Sequence, residues 1–426
     1  MNTKSNVFLW ALYDFANSLV SIVFFLYFAQ WIVVDKGISD LNFNLTFTLS
    51  AFLLLLTIPI TGVLLDKAWR RITGLRYSTI ATFFLYGTCA IFAIADKEIL
   101  SLIFFTLGLY TYLLSFTFYT PLLNDIASKE RRGAVSGWGI MANYLGQIVG
   151  LIIALPFSTG SWSFFAGNQR AETLLPAVIA FVIFSLPMLL FFKEPSKIAQ
   201  KAPFKYRLKQ TFLETKALFA YSSVGMFILS FFLFNDAVLT AANNFPIFLE
   251  QVWGVSDTVK TYILLGILIT SAGGGLISGL IADKFGHKRT LMWILAGWVI
   301  ILPLVGWVNN FIWFVVSTTL MGLWFGSNWA VSRSVMGYIA PQGKHNLAFA
   351  YYGLAERASS LLGPVIWGLI ASNLVHMGII RYRIAVLAIT GFIILGLLAL
   401  SRIRDDRMEE KVPSASLLPN NKHINI

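Results

Sequence analysis

Gly62 to Arg71 read GVLLDKAWRR and Gly279 to Arg289 read GLIADKFGHKR, two segments of one pattern separated by 217 residues. A second pair follows them. DIASKERRGAVSGWG begins at Asp125, and its Ile126 and Ala127 stand 213 residues before Ile339 and Ala340 of YIAPQGKHNLAFAYYG. Two independent matches at nearly one offset mark an internal duplication. Each of the four segments ends an apolar run, and the runs carry the rest of the reading.

Outward from these segments, apolar runs of about 18 residues or more, enough to cross ~30 Å of hydrocarbon, number twelve. They cover approximately 7–34, 44–65, 77–95, 99–124, 134–156, 174–192, 222–249, 261–282, 291–308, 311–333, 347–374 and 383–401. The chain is 57% hydrophobic and only 12% charged, with a mean hydropathy of +0.73; a soluble domain carries roughly 25% charged residues. It is an integral membrane protein. A net charge of +12 would suit nucleic acid, but the basic residues lie in short loops between spans, which excludes that partner. Of the 32 Lys and Arg, 25 fall on the side shared by the two termini, 6 in the opposite loops, and Arg357 within a span. The positive-inside rule places both termini in the cytoplasm. The first run is too long for a signal peptide and is expected to be retained. The single cysteine, Cys89, allows no intrachain disulfide and is expected to pack in an apolar segment.

The expected organisation is a first six-helix half over 1–192, a basic cytoplasmic linker over 193–221, a second half over 222–401, and a cytoplasmic tail over 402–426, partly disordered. A short surface helix is expected around Phe204 to Lys216. The fold class is thus all-α integral membrane: twelve transmembrane helices in two halves related by a pseudo-twofold along the membrane normal. Such a parallel duplication is the architecture of the major facilitator superfamily.

Both loop copies have the form of that superfamily's signature, and simple physics accounts for the residue types. Glycine lets helices approach, an aspartate can face a helix N-terminus or a cation, and the basic cluster holds the loop inside. Gly279, Asp283, Lys284, Gly286, Lys288 and Arg289 follow the pattern closely. Gly62, Asp66, Lys67, Arg70 and Arg71 follow it in the first copy, where Trp69 replaces the expected glycine. These are expected to be gating residues rather than a binding site.

Trp10 to Ser18 read WALYDFANS. With RSVMGYIAP at Arg333 to Pro341, GLAERASSLLGP at Gly353 to Pro364 and ERRGAVSGWG at Glu130 to Gly139, this stretch resembles the vacuole-effluxer type of major facilitator transporter. That family has bacterial members and an autophagy-related fungal branch that exports amino acids. The resemblance implies secondary transport of a small solute, with an amino acid or similar metabolite as the default. A siderophore or another amphipathic metabolite is the alternative, moved in either direction.

The candidate pathway residues are the polar groups that an apolar span should not contain. A charge near the bilayer interior costs at least ~2.5 kcal/mol. Asp14, Asn17, Ser18 and Ser21 share one face of the first helix. Asp236, Thr240 and Asn243 share a face of the seventh, which can look across the pseudo-twofold at the first. Glu356 and Arg357 lie in the eleventh; being adjacent, they point about 100 degrees apart and must each seek another partner. Tyr112, Ser115 and Tyr119 on the fourth helix, Asn143 and Gln147 on the fifth, and Trp324, Asn328 and Ser332 on the tenth are candidate cavity linings. Arg333 is either a cavity cation or a snorkelling end residue. For all of these, bonding between helices purely as packing is the other reading. Gly139, Gly146 and Gly150, and Gly363 with Pro364, read as close-packing and bending positions.

Proton coupling is the expected energy source, with Asp14, Asp236 and Glu356 as candidates. His287, His345, His376 and His423 lack metal-ligand spacing, and no phosphate loop or nucleophile elbow occurs, so no metal, cofactor or enzymatic activity is expected. A non-transporting membrane sensor would need a folded soluble domain longer than any loop here. The expected partners are a lipid bilayer, a small solute and protons, with the protein a monomer.

Overall fold

The computed structural model describes residues 3–67, 70–127, 132–165, 167–194, 218, 219, 221–341 and 345–403. Most of the expected linker, its surface helix, Trp69, and the tail beyond 403 lie outside the described residues.

Among the described residues eleven helices are long and apolar enough to cross a membrane. They are α1 (Ser5–Asp35), α2 (Asp40–Lys67), α3 (Arg71–Ile94), α4 (Glu98–Leu122), α5 (Arg132–Ser158), α6 (Gln169–Phe191), α7 (Ser222–Trp253), α8 (Asp257–Phe285), α9 (His287–Trp307), α10 (Phe311–Ile339) and α12 (Ile380–Ser401). The eleventh apolar run differs from the expected single helix. It forms two pieces, α11a (His345–Ala358) and α11b (Gly363–Asn373), separated by an unwound stretch from Ser359 to Leu362. Pro364 suits the restart: it sits in the first turn of α11b, where its missing N–H is no loss.

The duplication is visible in the packing. α1 packs on α6, α2 on α4, α3 on α4 and on α6; six helices later α7 packs on α12, α8 on α10, α9 on α10 and on α12. The two halves meet through α2 against α11b and α5 against α8, each pair the other's counterpart. Within the halves, glycines bring backbones together. A Cβ on Gly146 or Gly150 of α5 would run into the Phe15 or Leu19 carbonyl of α1, and one on Gly326 of α10 into the Ser271 carbonyl of α8. In a membrane, where water does not drive helices together, such close approach is the main source of association.

We call the side where α1 begins and α12 ends the terminal face, and the opposite side the far face. Near the far face the halves are joined by directed bonds. Asn44 and Asn244, both fully buried, exchange amide hydrogen bonds of 2.8 Å each way. The Tyr382 hydroxyl donates to Asp40 at 3.1 Å, and the Leu41 amide to Ser372 at 3.0 Å. The two repeated-motif loops at the terminal face are instead stapled within their own halves. Arg71 pairs with Asp125 at 2.7 Å, and His287 shares a hydrogen bond with Ser334 at 2.7 Å.

Candidate functional site

Four charges converge from both halves toward the terminal third of the molecule. Asp14 lies nine residues into α1, about 13 Å of rise from Ser5. Arg333 lies six residues before the end of α10, and Glu356 and Arg357 close α11a. Arg333 meets Glu356 at 3.6 Å and also interacts electrostatically with Asp14 across the divide between the halves. Arg357 reaches into the first half, donating to the Thr120 hydroxyl at 2.6 Å and the Phe116 carbonyl at 3.1 Å. As expected for neighbours on a helix, Glu356 and Arg357 each bond elsewhere.

The polar residues around Asp14 orient it. Gln147 donates to the Asn143 side-chain oxygen at 2.7 Å, which leaves the Asn143 amide nitrogen facing Asp14 at 3.4 Å. Tyr119 stacks on Trp10 with ring centroids 4.9 Å apart and donates to the Trp10 carbonyl at 2.9 Å. Asn17 turns back to donate to the Tyr13 carbonyl at 2.8 Å, and its own side-chain oxygen is buried without a partner. Ser18 is buried beside it. Asp14, Tyr119, Asn143, Gln147, Arg333, Glu356 and Arg357 therefore form one constellation. Two carboxylates and two guanidiniums belong to it.

The structure draws the α7 residues elsewhere. Asp236 is fully buried, and one of its oxygens accepts the amides of Leu362 and Gly363 at 3.0 and 2.9 Å. It caps α11b, whose first amides have no partner within their own helix. Thr240 is buried against Gly363, leaving no room there for a side chain. Asn243 is buried nearby on the same helix, and Asn328 is fully buried in α10 with neither amide atom bonded.

Of the loop residues, Gly62 and Asp66 fall in the last turns of α2, whose side chains lie outside the described residues. Arg70, Asp283, Lys284 and Arg289 are exposed. Gly286, at φ +95°, alone links α8 to α9, a backbone conformation that favours glycine. Gly279 lies within α8, and Lys288 reaches the Ile403 carbonyl at the end of α12.

One cluster escaped the sequence reading. At the far face Asp35, Arg170, Glu250, Asp257 and Lys260 form a continuous ion network. In the sequence they are ordinary charges at span ends; the spacing of Asp257 and Lys260, three apart at a helix start, was the sole local signal.

A duplicated set of six helices meeting around such a constellation defines a major facilitator transporter, and solved structures agree on the fold. A variant of the nucleoside transporter NupG superposes with a TM-score of 0.74 at 12% identity, covering 93% of this chain and 99% of that one. A bacterial homolog of the human lysosomal transporter Spinster gives 0.70 at 13% identity, covering 94% and 96%. An uncharacterized MFS-type transporter of Bacillus subtilis (strain 168), YxiO, is 24% identical over 411 residues, 91% of this chain and 93% of its own. The family described as vacuole effluxer Atg22 like matches residues 42–408, and the chain belongs to it. It is a multi-pass membrane transporter.

Proposed function

We propose that the protein is a secondary active transporter of a small zwitterionic solute, an amino acid first among candidates, moved by alternating access and coupled to protons through Asp14. The observation that carries this reading is that Arg333 of the second half meets Glu356 and feels the charge of Asp14 in the first, while Arg357 beside them reaches Thr120 and Phe116 of the first half. A carboxylate on the solute would be held by a guanidinium and its ammonium by a carboxylate, each a charge-assisted bond. Rocking of the halves exposes that site to each side in turn. Purified protein in vesicles preloaded with unlabelled amino acids should exchange them for labelled ones. Exchange of neutral amphipathic metabolites but of no zwitterion would favour the second reading, to which the aromatic wall of Trp10, Tyr119 and Tyr112 is suited.

The terminal face is cytoplasmic in this reading, and the membrane is the cell (inner) membrane of a bacterium. The support is the skew of basic residues toward that face. A topology reporter inserted at Gly167 is expected to read the outside, and one at the C-terminus the cytoplasm. Finding residue 167 in the cytoplasm would overturn the orientation. Asp283, with its neighbours Lys284 and Arg289 exposed in this state, acts in the gate rather than in the site.

A further inference from the structure

We infer that Arg170 is the residue that holds the carrier shut on its far face, seated as a plug from the first half in a socket built by the second. Arg170 lies in the first turn of α6, and every face of its guanidinium is used. Nη1 bonds Asp35 of its own half at 2.8 Å. Nε and Nη2 make a two-pronged contact with Asp257 of the other half, at 3.0 and 3.1 Å, and Nη2 also meets Glu250 at 2.7 Å. The planar fork of arginine is suited to such a seat, and lysine is not.

The parts of the network have different jobs. Asp35 and Arg170 belong to one half, so their pair survives when the halves separate. Asp35 is itself fixed by Asn168 at 3.1 Å, and the Asn168 side-chain oxygen caps the start of α6 by accepting the Arg170 amide at 3.0 Å. Asp35 therefore aims the plug. Glu250 and Asp257 are like charges brought together, which is stable because Lys260, fully buried, lies between them and bonds both. Lys260 also bonds Gln30 of the first half. Within this network, the bonds that must break for the far face to open are those of Arg170 to Glu250 and Asp257 and of Lys260 to Gln30, alongside the Asn44 to Asn244, Tyr382 to Asp40 and Leu41 to Ser372 bonds between the halves. Arg170 is only 14% exposed, so its bonds are poorly screened by solvent.

The inference rests on the alternating-access reading, and its test reads distance instead of flux, so that it fails or stands whatever the solute proves to be. Spin labels are placed at Ser161 and Val375, exposed on the far face in different halves, after Cys89→Ala removes the native thiol. Full-length protein in lipid nanodiscs should give mainly the short far-face distance. Arg170→Gln should raise the ratio of long to short distances by roughly tenfold or more, since it removes the charged bonds to the other half and leaves Glu250 and Asp257 to share Lys260 alone. Asp35→Asn should shift that ratio far less, because its bond does not cross between the halves. Should Arg170→Gln fail to fold, Glu250→Gln with Asp257→Asn empties the socket instead and should open the far face likewise. A folded Arg170→Gln or socket variant with an unchanged distance distribution would overturn the assignment. So would an Asp35→Asn shift equal to that of Arg170→Gln.

Discussion

Vesicles containing Asp14→Asn should accumulate no solute under a proton gradient, although the protein expresses and melts close to wild type. The expectation starts from cost. A carboxylate inside an apolar span is retained only where something repays its burial, and no cation lies three or four residues away on α1. Its surroundings come from other helices: Asn143 at 3.4 Å from α5 and the charge of Arg333 from the opposite half. If this were only packing, an asparagine of the same size would keep most of the hydrogen bonding, lose an expensive charge, and leave the protein as stable or more so. Stability alone therefore does not test the role; transport does. A proton carrier should still permit solute exchange without a gradient when replaced by asparagine, whereas an anchor for the solute's ammonium should lose binding too. Uptake by the variant with unaltered pH dependence would remove Asp14 from the mechanism and leave Glu356 as the carboxylate at that level.

Asp236→Ala should have the opposite signature, a loss of the folded state before any question of transport arises. Asp236 is fully buried and satisfies the amides of Leu362 and Gly363 at the start of α11b. Each buried amide left without an acceptor costs about 1–3 kcal/mol, so the substitution should destabilise by about 2–6 kcal/mol. Asp236→Asn keeps an acceptor oxygen and should be far milder. Thermal unfolding in detergent of the two variants against wild type decides the matter. An alanine variant that melts like wild type would remove the capping role. An asparagine variant that is stable but uncoupled would return Asp236 to the proton pathway.

The contrast between these two aspartates shows what was legible in the sequence. Hydropathy, repeat offset and the glycines of α5 are local properties, and they led to the spans, the duplication and a closely packed fifth helix, though not to α1 as its partner. The WALYDFANS stretch also led to Asp14, because a carboxylate in an apolar run stands out whatever surrounds it. Asp236 stood out for the same reason, but its partner is an unwound segment 126 residues away, and no periodicity of α7 reveals that. Gly363 and Pro364 hinted at a bend in the eleventh run; that the bend is a full break, with a buried acid on its far side, depends on tertiary contact. The far-face network was invisible for the converse reason. Its five charges lie at span ends, where charges are commonplace, and only the closing of the two halves makes them unusual.

The far end of α1 carries a π turn from Trp31 to Asp35, and α7 carries one from Leu249 to Trp253, an offset of 218 residues. A π turn holds one residue more than the α turn it replaces. The two turns occupy corresponding places in the two copies of the repeat. The two copies put this turn to unlike uses: the first turn ends on Asp35, which steadies an arginine, and the second bears Glu250, which receives it. Two identical subunits would each have presented both parts or neither. With both copies in one chain each carries its own part, so that a shared irregularity serves as a matched pair.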